Sequence, residues 1–248
     1  MAFAVRAITL DLDDTVWPFA PIGARIERVL DDWMRRHSPA TADKFPIAAM
    51  QALRERVAAD NPALGHDMSA LRRLTLEAAL RESGGDIALA TPAYEAFFAE
   101  RNRVECYPDA IDALERISAR MPIAALSNGN ADLARIGLDH LFTAQVSACS
   151  FGTAKPDPAI FLAACELLDL PPAGVLHVGD HPEADIAGAA RAGLRSCWIN
   201  RPGDDGRRAR WNHPGVEPDL HFESLAGLAD WLDAVVPATA ARTRSTRA

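Results

Sequence analysis

The sequence lacks the features that mark several common protein classes. Its 248 residues contain no apolar run long enough to cross a membrane, and the first residues lack the basic start and apolar stretch of a secretory signal. The formal net charge is -8, which argues against a broad nucleic-acid surface. We therefore expect a cytoplasmic protein with neither membrane nor nucleic-acid partners.

Cysteine is scarce, and its spacing does not suggest a redox or metal site. No Cys-x-x-Cys pair occurs, and each cysteine lies among apolar neighbours, so reduced core thiols are expected. No predicted strand is followed by Gly-x-Gly-x-x-Gly, which disfavours a nucleotide-dependent dehydrogenase. The four cysteines are Cys106, Cys149, Cys165 and Cys197.

The apolar pattern divides the chain into two regions that differ in predicted secondary structure. After a first strand at 4–10, the sequence predicts helices only, at 22–37, 42–59, 68–81 and 92–101. From about residue 104, predicted strands alternate with helices, which indicates a parallel sheet covered on both faces. These strands are 123–126, 144–148, 175–178 and 196–199, and the helices are 110–120, 131–141, 159–168, 183–192 and 224–235.

This alternation predicts an α/β core interrupted by a helical insert. With 49% hydrophobic residues, the chain is long enough for one large domain or for a domain with an insert. The predicted core comprises residues 1–16 and 104–237, and the predicted insert comprises residues 17–103. Residues 238–248 are small and basic without an apolar pattern, and we expect them to be disordered.

Polar residues follow several predicted strands where core packing does not require them. The carboxyl ends of parallel strands are where ligands bind in such sheets. Neighbouring carboxylates repel one another, and a divalent cation with oxygen ligands would relieve that repulsion. Taken singly, each position has a simpler explanation as a turn, a helix-start acid or a solvated lysine. These positions are Asp11 with Asp13, Ser127 with Asn128, Lys155 in a loop stiffened by two prolines, and Asp180 with Asp185.

Four segments containing these residues resemble the ordered motifs of the haloacid dehalogenase superfamily. The resemblance extends to about residue 236, and the helical insert is similar to the family's C1 cap. The implied fold is therefore a Rossmann-like parallel α/β core with an inserted, all-helical C1-type cap. One departure is His181, where relatives often carry a second acid. The motif segments are Asp11–Thr15, Ser127–Gly129, Lys155–Pro158 and Gly179–Asp185.

The resemblance implies a magnesium-dependent phosphatase that acts through an aspartyl-phosphate. Asp11 would be the nucleophile and a metal ligand, and Asp180 would be a second metal ligand. Asp13 would be the general acid and base and would also bind Mg²⁺ through its backbone carbonyl. Lys155 would be catalytic and would contact the phosphate.

The remaining motif residues are given supporting roles by the same resemblance. Ser127 and Asn128 would hold the phosphoryl oxygens. Asp185 would orient Lys155 or a metal-bound water, and Thr15 would support the same groups. The expected partner is a small-molecule phosphate ester, and a monomer or homodimer is expected.

A narrower similarity suggests a substrate. The chain resembles phosphatases that act on flavin mononucleotide and on the phosphorylated ribitylamino-uracil of riboflavin synthesis. Three alternatives on the same fold stay open, namely a 2-haloacid dehalogenase, a phosphomutase and a non-catalytic binding module. The dehalogenases usually lack an acid at the place of Asp13, because displacement at carbon produces no alkoxide to protonate. The segments of this narrower resemblance are His66–Met68, Ser127–Asn130 and Cys197–Asn200.

Overall fold

A sheet of six parallel strands organises the part of the chain that the structure describes. The computed structural model describes residues 4–203 and 206–235. The strand order is β3-β2-β1-β4-β5-β6, and β1, β2 and β4 are buried along their whole length. Burial on both faces explains why these strands are apolar without alternation. The strands are β1 (Ala7–Leu10), β2 (Ile123–Ser127), β3 (Ala144–Ser147), β4 (Val175–Gly179), β5 (Arg195–Ile199) and β6 (Leu220–Phe222).

The connections reverse direction at the centre of this sheet. From β1 the chain builds outward through β2 to β3, and then returns to the other side of β1 with β4. This topological switch point lies between β1 and β4. In open α/β sheets, ligands bind outside the carboxyl ends of the strands at such a point.

The segment between β1 and β2 contains helices and turns and no strand. Its first five helices form the insert, with α1 packed on α5 and α3 packed on α4. The prediction of an all-helical segment here is confirmed, whereas the domain division at residues 17–103 stays a prediction. The five helices are α1 (Phe19–His37), α2 (Pro39–Lys44), α3 (Ile47–Asp60), α4 (Met68–Ser83) and α5 (Ala90–Arg101).

The single helix predicted at 42–59 is wrong, because the structure has two helices there. The α2 helix ends at Lys44 and α3 begins at Ile47. Proline has no backbone N–H, and its ring disfavours helical geometry at the residue before it. Pro46, just before α3, therefore separates the two helices.

The core helices alternate with the strands as predicted, but two of them differ from the prediction in extent or type. The helix predicted at 131–141 ends at Ile136, because Gly137 adopts a left-handed conformation with φ of 86° and terminates it. The predicted helix at 183–192 begins as a π-helical segment, Pro182–Ala187. The core helices are α6 (Ala110–Ser118), α7 (Leu133–Ile136), α8 (Ala148–Phe151), α9 (Pro158–Leu167), α10 (Gly188–Arg191) and α11 (Leu225–Val235).

The structure also bears on membrane-spanning helices and on the state of the cysteines. Among the described residues, no helix is both long and apolar enough to span a membrane. All four cysteines are free thiols, with Cys165 and Cys197 buried. The expected disorder of 238–248 falls outside the described residues.

Candidate active site

The candidate site lies at the switch point between β1 and β4. Asp11 directly follows β1, and its backbone N–H continues the pairing by donating to the Val178 carbonyl over 2.9 Å. The chain then leaves strand geometry, since the Val16 N–H donates to the Leu12 carbonyl over 2.8 Å. Leu12 is fully buried. The chain therefore turns away from the strand direction directly after Asp11, and Asp13 lies within that turn.

Lys155 connects two of the predicted carboxylates. Its Nζ lies 2.6 Å from Oδ1 of Asp11 and 2.7 Å from Oδ1 of Asp185. Lys155 is only 5% exposed and Asp11 is 7% exposed. Burial alone would lower the pKa of Lys155, but the adjacent charges of Asp11 and Asp185 outweigh it and raise that pKa. Lys155 is thus held as a buried ammonium beside Asp11.

Both carboxylate oxygens of Asp185 are engaged by protein donors. Oδ1 accepts from Lys155 and lies 3.1 Å from Nε2 of His177, and Oδ2 accepts from the His181 backbone N–H over 2.9 Å. Burial alone would raise the pKa of Asp185. Lys155 and His177 outweigh burial and hold that pKa below its usual range. Asp185 therefore remains an anion that fixes Lys155 in place.

Gly179 is required for the close approach of Asp185. A Cβ at this position would lie 2.3 Å from Cγ of Asp185, far inside contact distance. We expect Gly179→Ala to lower the free energy of unfolding by about 1–3 kcal/mol, as overpacking does elsewhere, and to displace Asp185 from Lys155. Denaturant titration measures the first effect. Gly174→Ala is the control, because its Cβ would meet only the Arg6 side chain at 3.5 Å. Equal stability of the two variants would contradict this account.

Asp11 and Asp180 face one another beside a hydroxyl. The Oγ1 of Thr15 lies 3.4 Å from Oδ2 of Asp11 and 3.4 Å from Oδ1 of Asp180. One hydroxyl proton serves only one of these oxygens at a time. Asp11, Asp180 and Asp185 also form the acidic cluster whose oxygens lie within 4.8 Å of one another. Since Asp185 is engaged by its own donors, Asp11 and Asp180 are the members that are better suited to a cation.

The electrostatics of this cluster favour a bound cation. Burial is the largest cause that raises the pKa of Asp11 to about 7; the nearby charge of Asp185 adds to it, and Lys155 opposes it. Burial, followed by the charges of Asp11 and Asp185, raises the pKa of Asp180 to about 8. When all three carboxyl groups are ionised, one ammonium leaves two of their negative charges uncompensated. A divalent ion would supply the missing charge.

Asp13 has its hydrogen-bond partners outside this acidic cluster. Its Oδ1 accepts from the Trp17 indole Nε1 over 2.8 Å. Nη2 of Arg101 lies 2.9 Å from Oδ1 and 2.7 Å from Oδ2 of the same carboxylate. Asp13 therefore lies near Asp11 along the chain but has a separate set of partners.

Ser127 and Asn128 lie at the end of the adjacent strand β2. The Ser127 Oγ accepts from the Gly129 N–H over 2.9 Å, so its own proton can be donated elsewhere. The Asn128 side chain is bound to the backbone of Lys155, donating to its carbonyl over 2.9 Å and accepting from its N–H over 2.7 Å. Asn128 thus holds the Lys155 loop against β2.

His181, the departure from the family pattern, caps a helix. Its Nδ1 accepts from the backbone N–H groups of Glu183 and Ala184, at 3.2 and 3.1 Å. A side chain that accepts hydrogen bonds from backbone N–H groups at the start of a helix acts as an N-cap. The ring therefore supports the segment that carries Asp185.

Three residues of the site were not predicted from the sequence as functional. His177 is buried in β4, where it resembles an ordinary strand residue, and burial is the main cause that lowers its pKa. Arg101 ends a helix of the insert, and basic residues are common there. Trp17 fits core packing as well as hydrogen bonding, although its closeness to Asp13 in the sequence is a usable signal.

Comparison with known proteins agrees with this geometry. The haloacid dehalogenase-like hydrolase family matches residues 5–193, which is most of the chain. The chain belongs to this family. The family resemblance and the α/β fold predicted from the motifs are therefore confirmed, and the protein is a hydrolase.

Individual relatives of this hydrolase have two kinds of activity. The 5-amino-6-(5-phospho-D-ribitylamino)uracil phosphatase YigB of Escherichia coli (strain K12) is 31% identical over 228 residues, covering 90% of this chain and 94% of that protein. A phosphoserine phosphatase of Thermus thermophilus is 30% identical, covering 89% and 96%. The structure of a 2-haloacid dehalogenase from Pseudomonas syringae pv. Tomato DC3000 is similar with a TM-score of 0.84 and 34% identity, covering 92% and 98%.

Proposed function

We propose that this hydrolase is a magnesium-dependent phosphatase that cleaves a small-molecule phosphate monoester through an aspartyl-phosphate on Asp11. The observation that carries the proposal is the pair of facing carboxylates, Asp11 and Asp180, beside the buried Lys155, with Asp13 two residues further on. Such a site suits attack on phosphorus, because a cation and an ammonium together offset the charge of the phosphate.

The donor set fits Mg²⁺. It consists of carboxylate oxygens, which a hard cation prefers, and the three carboxylates, once ionised, would exceed the single ammonium of Lys155 by two negative charges. Asp11 and Asp180 would hold the ion, together with the backbone carbonyl of Asp13. When bound, the ion neutralises charge on the transferring phosphoryl group. Thr15 and Asp185 would support these ligands, Asp185 by holding Lys155 (2.7 Å).

Asp11 begins the proposed reaction. One carboxylate oxygen of Asp11 attacks phosphorus, and the bond from phosphorus to the leaving oxygen breaks. Asp13 gives its proton to that oxygen, so an alcohol departs. Lys155 holds Asp11 in position through Oδ1, while the Ser127 hydroxyl and the Asn128 backbone N–H bind the phosphoryl oxygens.

The second half of the reaction returns the enzyme to its starting state. Asp13, now a carboxylate, takes a proton from a water molecule that attacks the phosphorus of the aspartyl-phosphate. The bond between Asp11 and phosphorus breaks, and inorganic phosphate is released. The proton on Asp13 serves the next leaving group.

A 2-haloacid dehalogenase is the second candidate, and it is favoured by the structural similarity at a TM-score of 0.84. Displacement of halide from carbon requires the Asp11 nucleophile, but neither a proton donor nor a metal. The protein nevertheless has Asp13 and holds it with two donors, and it crowds Asp180 against Asp11. These features favour phosphoryl transfer.

The substrate class that we propose comes from the narrower resemblance and from relatives. Flavin mononucleotide or a phosphorylated ribitylamino-uracil of riboflavin synthesis is proposed. The similarity to the YigB phosphatase along 90% of the chain supports the second of these, the ribitylamino-uracil phosphate.

A paired release assay tests the proposed function. Phosphate release is measured with Mg²⁺ from flavin mononucleotide, sugar phosphates and nucleotides, and chloride release is measured from 2-chloro acids in chelator. We expect phosphate release only. Chloride release without phosphate release would support the dehalogenase, and a requirement for a bisphosphate would support a phosphomutase. No turnover of any substrate would support a binding module.

Asp13→Asn is expected to slow turnover of alkyl phosphates by on the order of 10²–10⁴-fold, the usual contribution of general acid-base catalysis. The nucleophile remains, but the leaving alkoxide is no longer protonated. The loss in the phosphorylation step is expected to be smaller for aryl phosphates, whose leaving groups need little protonation. Single-turnover kinetics with both substrates measure this difference. Equal losses in that step would show that Asp13 has a structural role only.

A further inference from the structure

The Asp13 carboxylate is bound from both junctions between the insert and the core. Trp17 lies two residues before α1 and donates to Oδ1 over 2.8 Å. Arg101 is the last residue of α5 and reaches Oδ2 over 2.7 Å. The two junctions also pair with each other, since the Tyr107 N–H donates to the Val16 carbonyl over 2.9 Å. The position of Asp13 therefore depends on where the insert begins and ends.

Arg101 is an unusual residue for a helix terminus because its charge is buried. Its side chain is 3% exposed, and Asp13 provides its carboxylate partner. Its Nε lies 3.2 Å from Oδ1 of Asn130, whereas its Nη1 is buried and has no hydrogen-bond partner among residues 4–203 and 206–235. A buried guanidinium is costly unless it is paired with a charge. The pairing with Asp13 therefore accounts for a cation at this position.

This ion pair lies directly beside the proposed phosphoryl site. A Cβ on Gly129 would lie 2.7 Å from Oδ2 of Asp13, 3.0 Å from Nη2 of Arg101 and 3.3 Å from Oγ of Ser127. Only a glycine leaves room for these three groups to converge. The Phe19 ring covers the guanidinium with its centroid 5.4 Å away. The carboxylate is thus confined on several sides, next to Ser127.

We propose that Arg101 is a positioning residue for the proton-transferring Asp13, supplied by the insert. The inference rests on the proposed function, in which Asp13 gives one proton to the leaving oxygen and takes one from water. Arg101 exchanges no proton in this scheme. It fixes the direction of the carboxylate, so proton transfer is efficient only while the end of α5 keeps its contact with the core.

Arg101→Met tests this role by its dependence on the leaving group. A hydrogen bond to a charged group contributes about 1.5–3 kcal/mol, which corresponds to a rate change of roughly 10- to 100-fold. We expect a loss of this size in the phosphorylation step with alkyl phosphates and a smaller loss with aryl phosphates. Arg103→Met is the matched control, because Arg103 is 75% exposed and pairs with Glu100. It is expected to leave both rates unchanged.

A double-mutant cycle separates positioning from direct substrate binding. If Arg101 acts through Asp13, then Arg101→Met adds little to the loss already caused by Asp13→Asn. If Nη1 of Arg101 instead binds the substrate, the same loss appears in both backgrounds and with both leaving groups, mainly in KM. That result would overturn the proposal. Arg101→Lys keeps the charge without the forked donors and is expected to have an intermediate rate.

A third measurement does not depend on turnover. The Trp17 indole N–H donates to Asp13, so its nitrogen–proton resonance reports on the carboxylate. Trp17→Phe identifies this signal among the five tryptophans. We expect Arg101→Met to shift this resonance and Arg103→Met to leave it in place. If Arg101→Met does not unfold cooperatively and is therefore not properly folded, Arg101→Lys is measured instead. If the resonance does not move in Arg101→Met, the proposal is overturned. If the resonance moves but the wild-type protein has no phosphatase activity, Arg101 still positions the Asp13 carboxylate and only the proposed function is overturned.

Discussion

Asp11→Asn is expected to abolish phosphate release, with a loss of roughly 10⁶-fold, comparable to the loss of a nucleophile in other covalent hydrolases. An amide is a much weaker nucleophile than a carboxylate, and it is also a poorer ligand for a hard cation. Asp11 lies 2.6 Å from the buried Lys155 and faces Asp180, so no other carboxylate of the cluster has the same position. Initial rates of phosphate release measure the loss, and mass spectrometry checks that the asparagine has not deamidated.

Stability measurements separate this chemical loss from unfolding. Burial first, with Asp185 adding to it, raises the pKa of Asp11 to about 7 from its ordinary value of 3.8. Keeping Asp11 ionised above pH 7 therefore costs the metal-free folded protein stability. In the absence of metal at pH 8, Asp11→Asn should melt at the wild-type temperature or higher. Asp112→Asn, at a carboxylate that is 77% exposed, controls for the substitution itself. Substantial phosphate release by Asp11→Asn would refute the role of nucleophile.

Removal of divalent metal is expected to stop turnover completely and reversibly. When Asp11 and Asp180 are ionised without a cation, they place negative charge at the position that an anionic phosphate must enter. The raised pKa of Asp180, about 8, reflects its burial and the nearby charges of Asp11 and Asp185. Phosphate release is assayed in chelator and again after Mg²⁺ is added. Calcium is expected to substitute poorly, because it favours more ligands and looser geometry.

Metal binding can also be followed without turnover. A ligand that binds only the folded state raises the melting temperature. We expect Mg²⁺ to raise that of the wild type and to raise that of Asp180→Asn much less. Full activity in chelator, with no change in melting temperature on adding Mg²⁺, would contradict the proposed metal dependence and would leave the dehalogenase as the stronger candidate.

The positions of the main site residues were predictable because they depend on topology. Asp11 and Asp180 each follow a buried apolar strand, and parallel strands end at one edge of a sheet. Once β1 and β4 were inferred to be strands, their polar ends could be expected to meet. Lys155 was harder to place, since it lies in a loop. Its motif resemblance, rather than any periodicity, indicated its role.

The hydrogen-bond partners of Asp13 and Asp185 were harder to predict from the sequence. Arg101 is 88 residues away from Asp13 in the chain, and its helix-end position has an ordinary explanation in the helix dipole. His177 lies inside an apolar strand and gives no local signal of its contact with Asp185. Contacts of this kind depend on tertiary packing, which hydrophobic periodicity does not encode. The strand β6 was missed for a simpler reason, because three residues are too few for a pattern.

The attachment of Asp13 to both junctions of the insert has a consequence for protein engineering. A chimera that receives the insert of a relative keeps both side-chain donors to the Asp13 carboxylate only if Trp17 and Arg101 remain. Exchange boundaries should therefore lie after Trp17 and before Arg101, so that α1 to α5 are replaced except for the last residue of α5. Boundaries placed at the outer ends of the predicted insert, residues 17 and 103, would remove both donors together. The transferable unit is thus smaller than the inserted segment itself.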